Sequence, residues 1–194
     1  MPKRTVVLGY DSSHFFHFFE QLASRLEDHQ TTGNQICHLI AAPILGMAFF
    51  SLLNMVVGST CAVSGLVMLM LWSLINDIFS GVFYTLYSIV GTVLQLNYGF
   101  GPQTLTSTLL LSLLAIFIQL GVGHGFFERR PPNELEGVVK GEGKLFAILD
   151  LLCELVPATF HFYTILFMRL GFRPDLDKLV QAELYRIQNI ISER

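Results

Sequence analysis

Leu39 to Val57 reads LIAAPILGMAFFSLLNMVV, an uncharged run in which Ser51 and Asn54 are the only side chains that form hydrogen bonds. A helix crossing a bilayer needs about 20 predominantly apolar residues, so this run is long enough to span one. The sequence on either side strengthens the reading. No Lys or Arg occurs between Arg25 and Arg129, and the acids in that interval are Glu27, Asp28, Asp77 and, next to Arg129, Glu128. A water-facing fold does not leave about a hundred residues so bare of charge. Three more apolar runs fill the interval, Cys61–Ile75, Ile78–Leu96 and Thr104–Val122. They are separated by Gly58-Ser59-Thr60, by the turn pair Asn76-Asp77 and by a Gly- and Pro-containing stretch from Asn97 to Pro102. Lipid offers no water to satisfy free backbone groups, so each run must be helical.

The expected fold is all-α, a polytopic membrane helix bundle of about four spanning helices with interfacial helices at both ends. Four crossings return the chain to the side it left. Both flanks are basic, with Lys3, Arg4 and Arg25 before the interval and Arg129, Arg130, Lys140 and Lys144 after it. By the positive-inside rule both flanks and both termini are cytoplasmic. A fifth apolar stretch, 145–171, contains Asp150, Glu154, Pro157 and His161. It reads as a broken or re-entrant helix pair around Pro157, with a single fifth crossing as the alternative. The organisation is then one membrane domain, 1–194. Residues 1–38 hold an interfacial helix with the Phe and His cluster around His14 and His17, followed by the first histidine motif. Residues 39–126 form the core, 127–144 a cytoplasmic loop, 145–171 the broken segment and 172–194 a surface helix.

Composition excludes several classes. The chain is 52% hydrophobic and 14% charged, against about 25% charged in soluble domains, which argues against disorder and against an ordinary soluble enzyme. A net charge of −3 offers no basic stripe for nucleic acid. Cys37, Cys61 and Cys153 are widely spaced and form neither a disulfide framework nor a zinc knuckle.

The histidines carry the chemistry. His29 and His38 precede the first span, His124 ends the fourth and His161 follows Pro157. An even number of crossings brings all four to one membrane face. Two local patterns stand out. In the first, His29-x4-Asn34-x3-His38-x4-Pro43, Asn34 and His38 share a helix face. In the second, Gln119-x3-Gly123-His124-x3-Glu128, the polar residues are expected to project to one side of a helix while Gly123 admits a close neighbour. Imidazole suits iron, zinc and copper, and histidines with a carboxylate and open positions suit non-haem Fe(II) oxygen chemistry. The same residues also have plainer roles: interfacial side chains for the histidines, a cap for Asn34 and a surface pair with Arg129 or Arg130 for Glu128.

The segments HQTTGNQICHLIAAP (His29 to Pro43) and QLGVGHGFFERRPP (Gln119 to Pro132) resemble the two signatures of the Mpo-type family of 2-hydroxy fatty acid dioxygenases, small multi-pass membrane proteins of fungi and bacteria. The resemblance covers roughly Tyr10 to Phe160, although only the two motifs are specific. The chain departs from the family after the second motif, where Pro131-Pro132-Asn133 and a Gly- and Glu-rich insert replace a Pro-Ala-Leu segment. The resemblance implies an Fe2+ cofactor. It implies a 2-hydroxy fatty acid and O2 as substrates drawn from the lipid bilayer, and a product one carbon shorter. His29, His38, His124 and His161 would be metal ligands, with His29, His38, His124 and Glu128 catalytic and Asn34 and Gln119 completing the site. The membrane would be the cytoplasmic one in a bacterium and the endoplasmic reticulum in a eukaryote.

Other classes stay open on sequence alone. A non-catalytic membrane scaffold or small transporter would hold no metal. A di-iron hydroxylase or desaturase would use H-x-x-H-H clusters, whereas this chain has six histidines and no His-His pair. A haem protein would use two of the histidines as axial ligands.

Overall fold

The computed structural model describes residues 18–130 and 157–192. Expectations resting on the cluster up to His17, on loop residues 131–144, and on Asp150 and Glu154 lie outside the described residues. Helix α1 (Phe18–Asp28) is followed by α2 (Thr32–Val57), α3 (Ser59–Asn76), α4 (Ile78–Tyr98) and α5 (Leu105–Ile116). The last of these runs on as a π-helical segment (Phe117–Glu128). Helices α6 (Ala158–Arg169) and α7 (Pro174–Ser192) follow. No strand occurs among the described residues, in keeping with an all-α bundle.

Local chemistry sets the boundaries. Helix α2 begins seven residues before the apolar run because the Thr31 hydroxyl accepts the Asn34 N–H at 3.3 Å and caps the first turn. It ends at Gly58, whose φ of 84° an L side chain rarely adopts. Asp77 leaves α3 in an extended conformation and caps α4, its carboxylate accepting the Ser80 N–H at 2.9 Å. Thr104 and Ser107 form a reciprocal capping box that starts α5. Pro43 lies inside α2, and Tyr87 of α4 donates to its carbonyl at 2.8 Å.

Helices α2, α3, α4 and α5 with its π extension are each long and apolar enough to cross a membrane. Their outward sides are apolar: Met68 is 72% exposed, Ile75 84% and Ile78 73%. An apolar surface of this extent suits lipid rather than water. Helix α2 is the hub, packing against α3, α5, the π segment and α6. The hairpin order brings the start of α2, the α3–α4 turn and the end of the π segment to one end of the bundle. Arg173, at the head of α7, ion-pairs there with Asp77. The opposite end, around Gly58 and Asn97–Thr104, carries no charged residue.

Helix α6 starts directly after Pro157 and runs antiparallel to α4. Tyr163 meets Tyr87 at 6.0 Å, Phe167 meets Phe83 at 4.7 Å and, just past the helix, Phe172 meets Phe79 at 6.2 Å between ring centres. Its second residue, Thr159, lies against Gly46, deep in α2. The helix therefore begins at mid-depth and emerges at the charged end. Its 12 residues span about 18 Å, little more than half of a roughly 30 Å hydrocarbon core. Helix α1 packs against α6 and α7, with Phe18, Leu22 and Leu26 joining Phe160, Phe162, Leu176 and Val180 in one core. It thus caps the bundle end, with Phe18, Leu22 and Leu26 turned inward and Phe19 exposed.

Candidate metal centre

His29 follows α1, His38 lies in the second turn of α2, and His124 lies on the π segment; all three are buried. One ring nitrogen from each lies within 4.8 Å of the other two. The Nε2 atoms of His29 and His38 are 3.1 Å apart. Two nitrogens bound to one ion at about 2.1 Å, roughly 90–110° apart, would lie about 3.0–3.4 Å from each other. His29 Nδ1 is 2.7 Å from the Arg25 carbonyl oxygen. A carbonyl only accepts, so Nδ1 carries the proton and the neutral ring presents its Nε2 lone pair to His38. This is how metal-binding histidines are usually held, the second ring nitrogen donating to a carbonyl or carboxylate.

The π winding decides the second motif. In an α-helix, Gln119 and His124 would point about 140° apart, because five residues exceed a turn by well over a third. An i→i+5 ladder brings residues five apart into line, and Gln119, Gly123 and His124 are the buried residues of the segment. The expected common face for Gln119 and His124 therefore exists through the π geometry. Gly121, Gly123 and Gly125 weaken the α-helical preference here by about 1 kcal/mol each relative to alanine. Gly123 admits a side chain rather than a backbone: a Cβ there would overlap Asn34 Oδ1 and sit 3.4 Å from Cys37 Cβ. Gly33 makes the reciprocal approach, its α-carbon packed against the Phe127 ring.

Asn34 is fully buried on the His38 face of α2, and both atoms of its amide lack a hydrogen-bond partner among the described residues, as does His124 Nδ1. Orphaned buried polar atoms are costly, about 1–3 kcal/mol each, and call for a partner such as a ligand or ion. The donor set is all-nitrogen: no carboxylate joins the group among the described residues. The Glu128 side chain is only 4% exposed, but its Oε1 accepts the Thr31 N–H at 2.7 Å and the Thr31 hydroxyl at 3.1 Å. It thereby pins the π segment to the start of α2. Arg130 lies 3.9 Å from Glu128 Oε2, donates to the Glu27 carbonyl and approaches the Glu27 carboxylate at 3.7 Å. His161 is buried but stands outside the three-histidine group. Its Nε2 is 3.1 Å from Gln21 Oε1, and its ring packs near Phe18 and Trp72.

Sequence reasoning missed Phe162 and Arg25. Phe162 of α6 stacks on His38 at 4.8 Å and meets His29 edge-on at 5.1 Å. Its only signal is adjacency to His161. Arg25 acts through its carbonyl, which no side-chain pattern reports.

No family model, curated protein or solved structure matches the chain.

Proposed function

We propose that this protein is a membrane-embedded, Fe(II)-dependent dioxygenase that removes the carboxyl carbon of 2-hydroxy fatty acids. One observation carries the reading: three buried imidazoles with their nitrogens within reach of one ion, beside the orphaned Asn34 amide, at the end of an apolar bundle. His29, His38 and His124 would hold the metal, and three protein ligands leave positions open. When bound, Fe(II) supplies the one-electron chemistry that dioxygen requires. The chain's own contribution is placement. The Arg25 carbonyl orients His29, Glu128 fixes α2 against the π segment, and Phe162 walls the rings from α6. Asn34 offers a donor and an acceptor to the substrate's hydroxyl and carboxylate. The charged end faces the cytoplasm, as the Lys and Arg distribution favours.

The test is anaerobic Fe(II) loading of detergent-purified protein, metal analysis, and incubation with 2-hydroxyhexadecanoic acid and O2. About one iron per chain, no haem absorbance and pentadecanoic acid as product support the proposal. Stoichiometric zinc with no oxidation would point instead to a three-histidine zinc site, which shares this donor set. No bound metal under either condition would return the chain to the scaffold or transporter class.

A further inference from the structure

The histidines occupy the charged end of the bundle, and a separate feature lies deeper. A cavity of about 330 Å³ is walled by α2, α3 and α4 and touched by Ser112 of α5 and Thr159 of α6. None of its lining residues belongs to the three-histidine group. Hydrogen bonds between the helices fix its depth. Tyr87 donates to the Pro43 carbonyl and the Gln95 amide to the Ser51 hydroxyl, and both pairs are 44 residues apart. Helices α2 and α4 therefore run side by side in register, which sets Gly46 level with Val90 and Gly91, near the middle of both spans. Gly46, Gly91 and Gly65 of α3 all line the space, and a Cβ added to Gly65 or Gly91 meets nothing within 4 Å. The volume falls at the lower end of the range for small-molecule sites, about 300–1,000 Å³.

The wall is mostly aliphatic and aromatic, interrupted by a set of hydroxyls. Tyr84, Ser88, Thr92 and Gln95 follow one another at spacings of four, four and three on α4, so they share the face that lines the cavity. Ser88 is buried, and its Oγ lies near the Tyr84 hydroxyl without a hydrogen bond of regular geometry. The hydroxyls of Thr92, Ser112 and Thr159 also make no hydrogen bond among the described residues. Elsewhere in the bundle Thr108 and Thr164 each donate to the carbonyl four residues earlier, the common outlet for a hydroxyl on a helix. Lipid offers no water to a hydroxyl left over, so four of them around one space call for an occupant that forms hydrogen bonds. No charged side chain lines the space. An unpaired charge at this depth is costly, which selects a neutral occupant.

We infer that this mid-membrane cavity binds a neutral, lipid-soluble small molecule with an apolar body and a hydroxyl or carbonyl group, the oxygen held by the hydroxyls of Ser88, Thr92, Ser112 and Thr159. The site does not depend on the chemistry proposed for the histidines. The probe is octan-1-ol carrying a diazirine, photolysed with the detergent-purified full chain and mapped by peptide mass spectrometry. The matching diazirine derivatives of octane and of octanoate are used at the same concentration. Saturable labelling by the alcohol is expected on Gly46–Phe50 of α2 and Ser88–Thr92 of α4, displaced by unlabelled octan-1-ol. Joint replacement of Ser88→Ala and Thr92→Val should cut labelling by the alcohol roughly tenfold, the worth of two ordinary hydrogen bonds, and leave labelling by octane unchanged. Gly91→Leu and, independently, Gly65→Leu fill the space and should abolish labelling by the alcohol. An unfolding temperature close to that of the wild type, followed by Trp72 fluorescence, verifies that each variant is folded. Equal labelling by octane would make the space a hydrocarbon void and overturn the inference. Preferred labelling by octanoate contradicts a neutral occupant and overturns it as well. So does the absence of saturable labelling on these two segments, since water alone would then answer the hydroxyls.

Discussion

Replacing Gly123 with alanine probes the metal centre through the helix contact that forms it. The new Cβ would overlap Asn34 Oδ1, lie 3.3 Å from Asn34 Cγ and 3.4 Å from Cys37 Cβ. Asn34 is fully buried, and its Oδ1 is among the atoms in contact, so α2 and the π segment must separate. Overpacking of this kind costs about 1–3 kcal/mol. For a chain of this size each kcal/mol lowers the melting temperature by about 2–4 °C, which puts the expected fall at roughly 2–12 °C. Gly123 adjoins His124 and Cys37 adjoins His38, so the same displacement moves two of the three histidines apart. Disturbing groups that position a ligand typically weakens metal binding about 10–100-fold. Fluorescence of Trp72, the chain's single tryptophan, follows unfolding in detergent, and anaerobic Fe(II) titration follows affinity. Gly91→Ala is the matched control: its Cβ has open space, and a mid-helix glycine replaced by alanine should gain about 0.5–1 kcal/mol. Adding Asn34→Ala to Gly123→Ala removes the overlapping atom and should restore at least about 1 kcal/mol, a coupling that a double-mutant cycle measures. If Gly123→Ala melts at the wild-type temperature and binds iron with wild-type affinity, the close packing of α2 on the π segment is not what holds the histidines together.

Metal analysis of His38→Ala should find the bound ion lost, whereas His161→Gln should retain wild-type stoichiometry, because His161 faces Gln21 outside the group. Glu128→Ala removes both bonds to Thr31 and should cost about 1–3 kcal/mol in chemical unfolding, while Glu128→Gln, whose amide oxygen still accepts, should cost less than half as much. Asp77→Asn retains the cap on α4 but loses the ion pair with Arg173; it should raise hydrogen exchange at the head of α7 more than within α4, and the reverse order would contradict the pairing.

The four long helices were legible because charge is absent where lipid would be. Boundaries were legible wherever a cap or a positive-φ glycine marked them, as at Asp77 and Thr104. The early start of α2 was less so: Thr31 caps a turn that lies outside the apolar run, and hydropathy does not report a hydroxyl accepting an N–H. The convergence of His29, His38 and His124 followed from an even number of crossings, which is a topological argument and needs no side-chain detail. The separation of His161 from them did not follow, since mid-depth and rim look alike when a half-helix is read only as apolar sequence. The π segment was hidden for a related reason. Its residues have the composition of an ordinary span, and the Gln119–His124 spacing of five, taken at face value, opposes a shared face in an α-helix.

One truncated helix links the two features that matter most. Helix α6 is long enough to place Phe162 against both His29 and His38, and begins short of a cavity between α2 and α4 that no other described helix fills. A full-length helix in this position would close the cavity, and its absence would leave His38 without the ring stacked on it. Neither the buried rings nor the space beneath them is economical for a bundle that only has to be stable. Both follow, among the described residues, from where α6 begins: Phe162 reaches the histidines, and Thr159 starts the helix against Gly46.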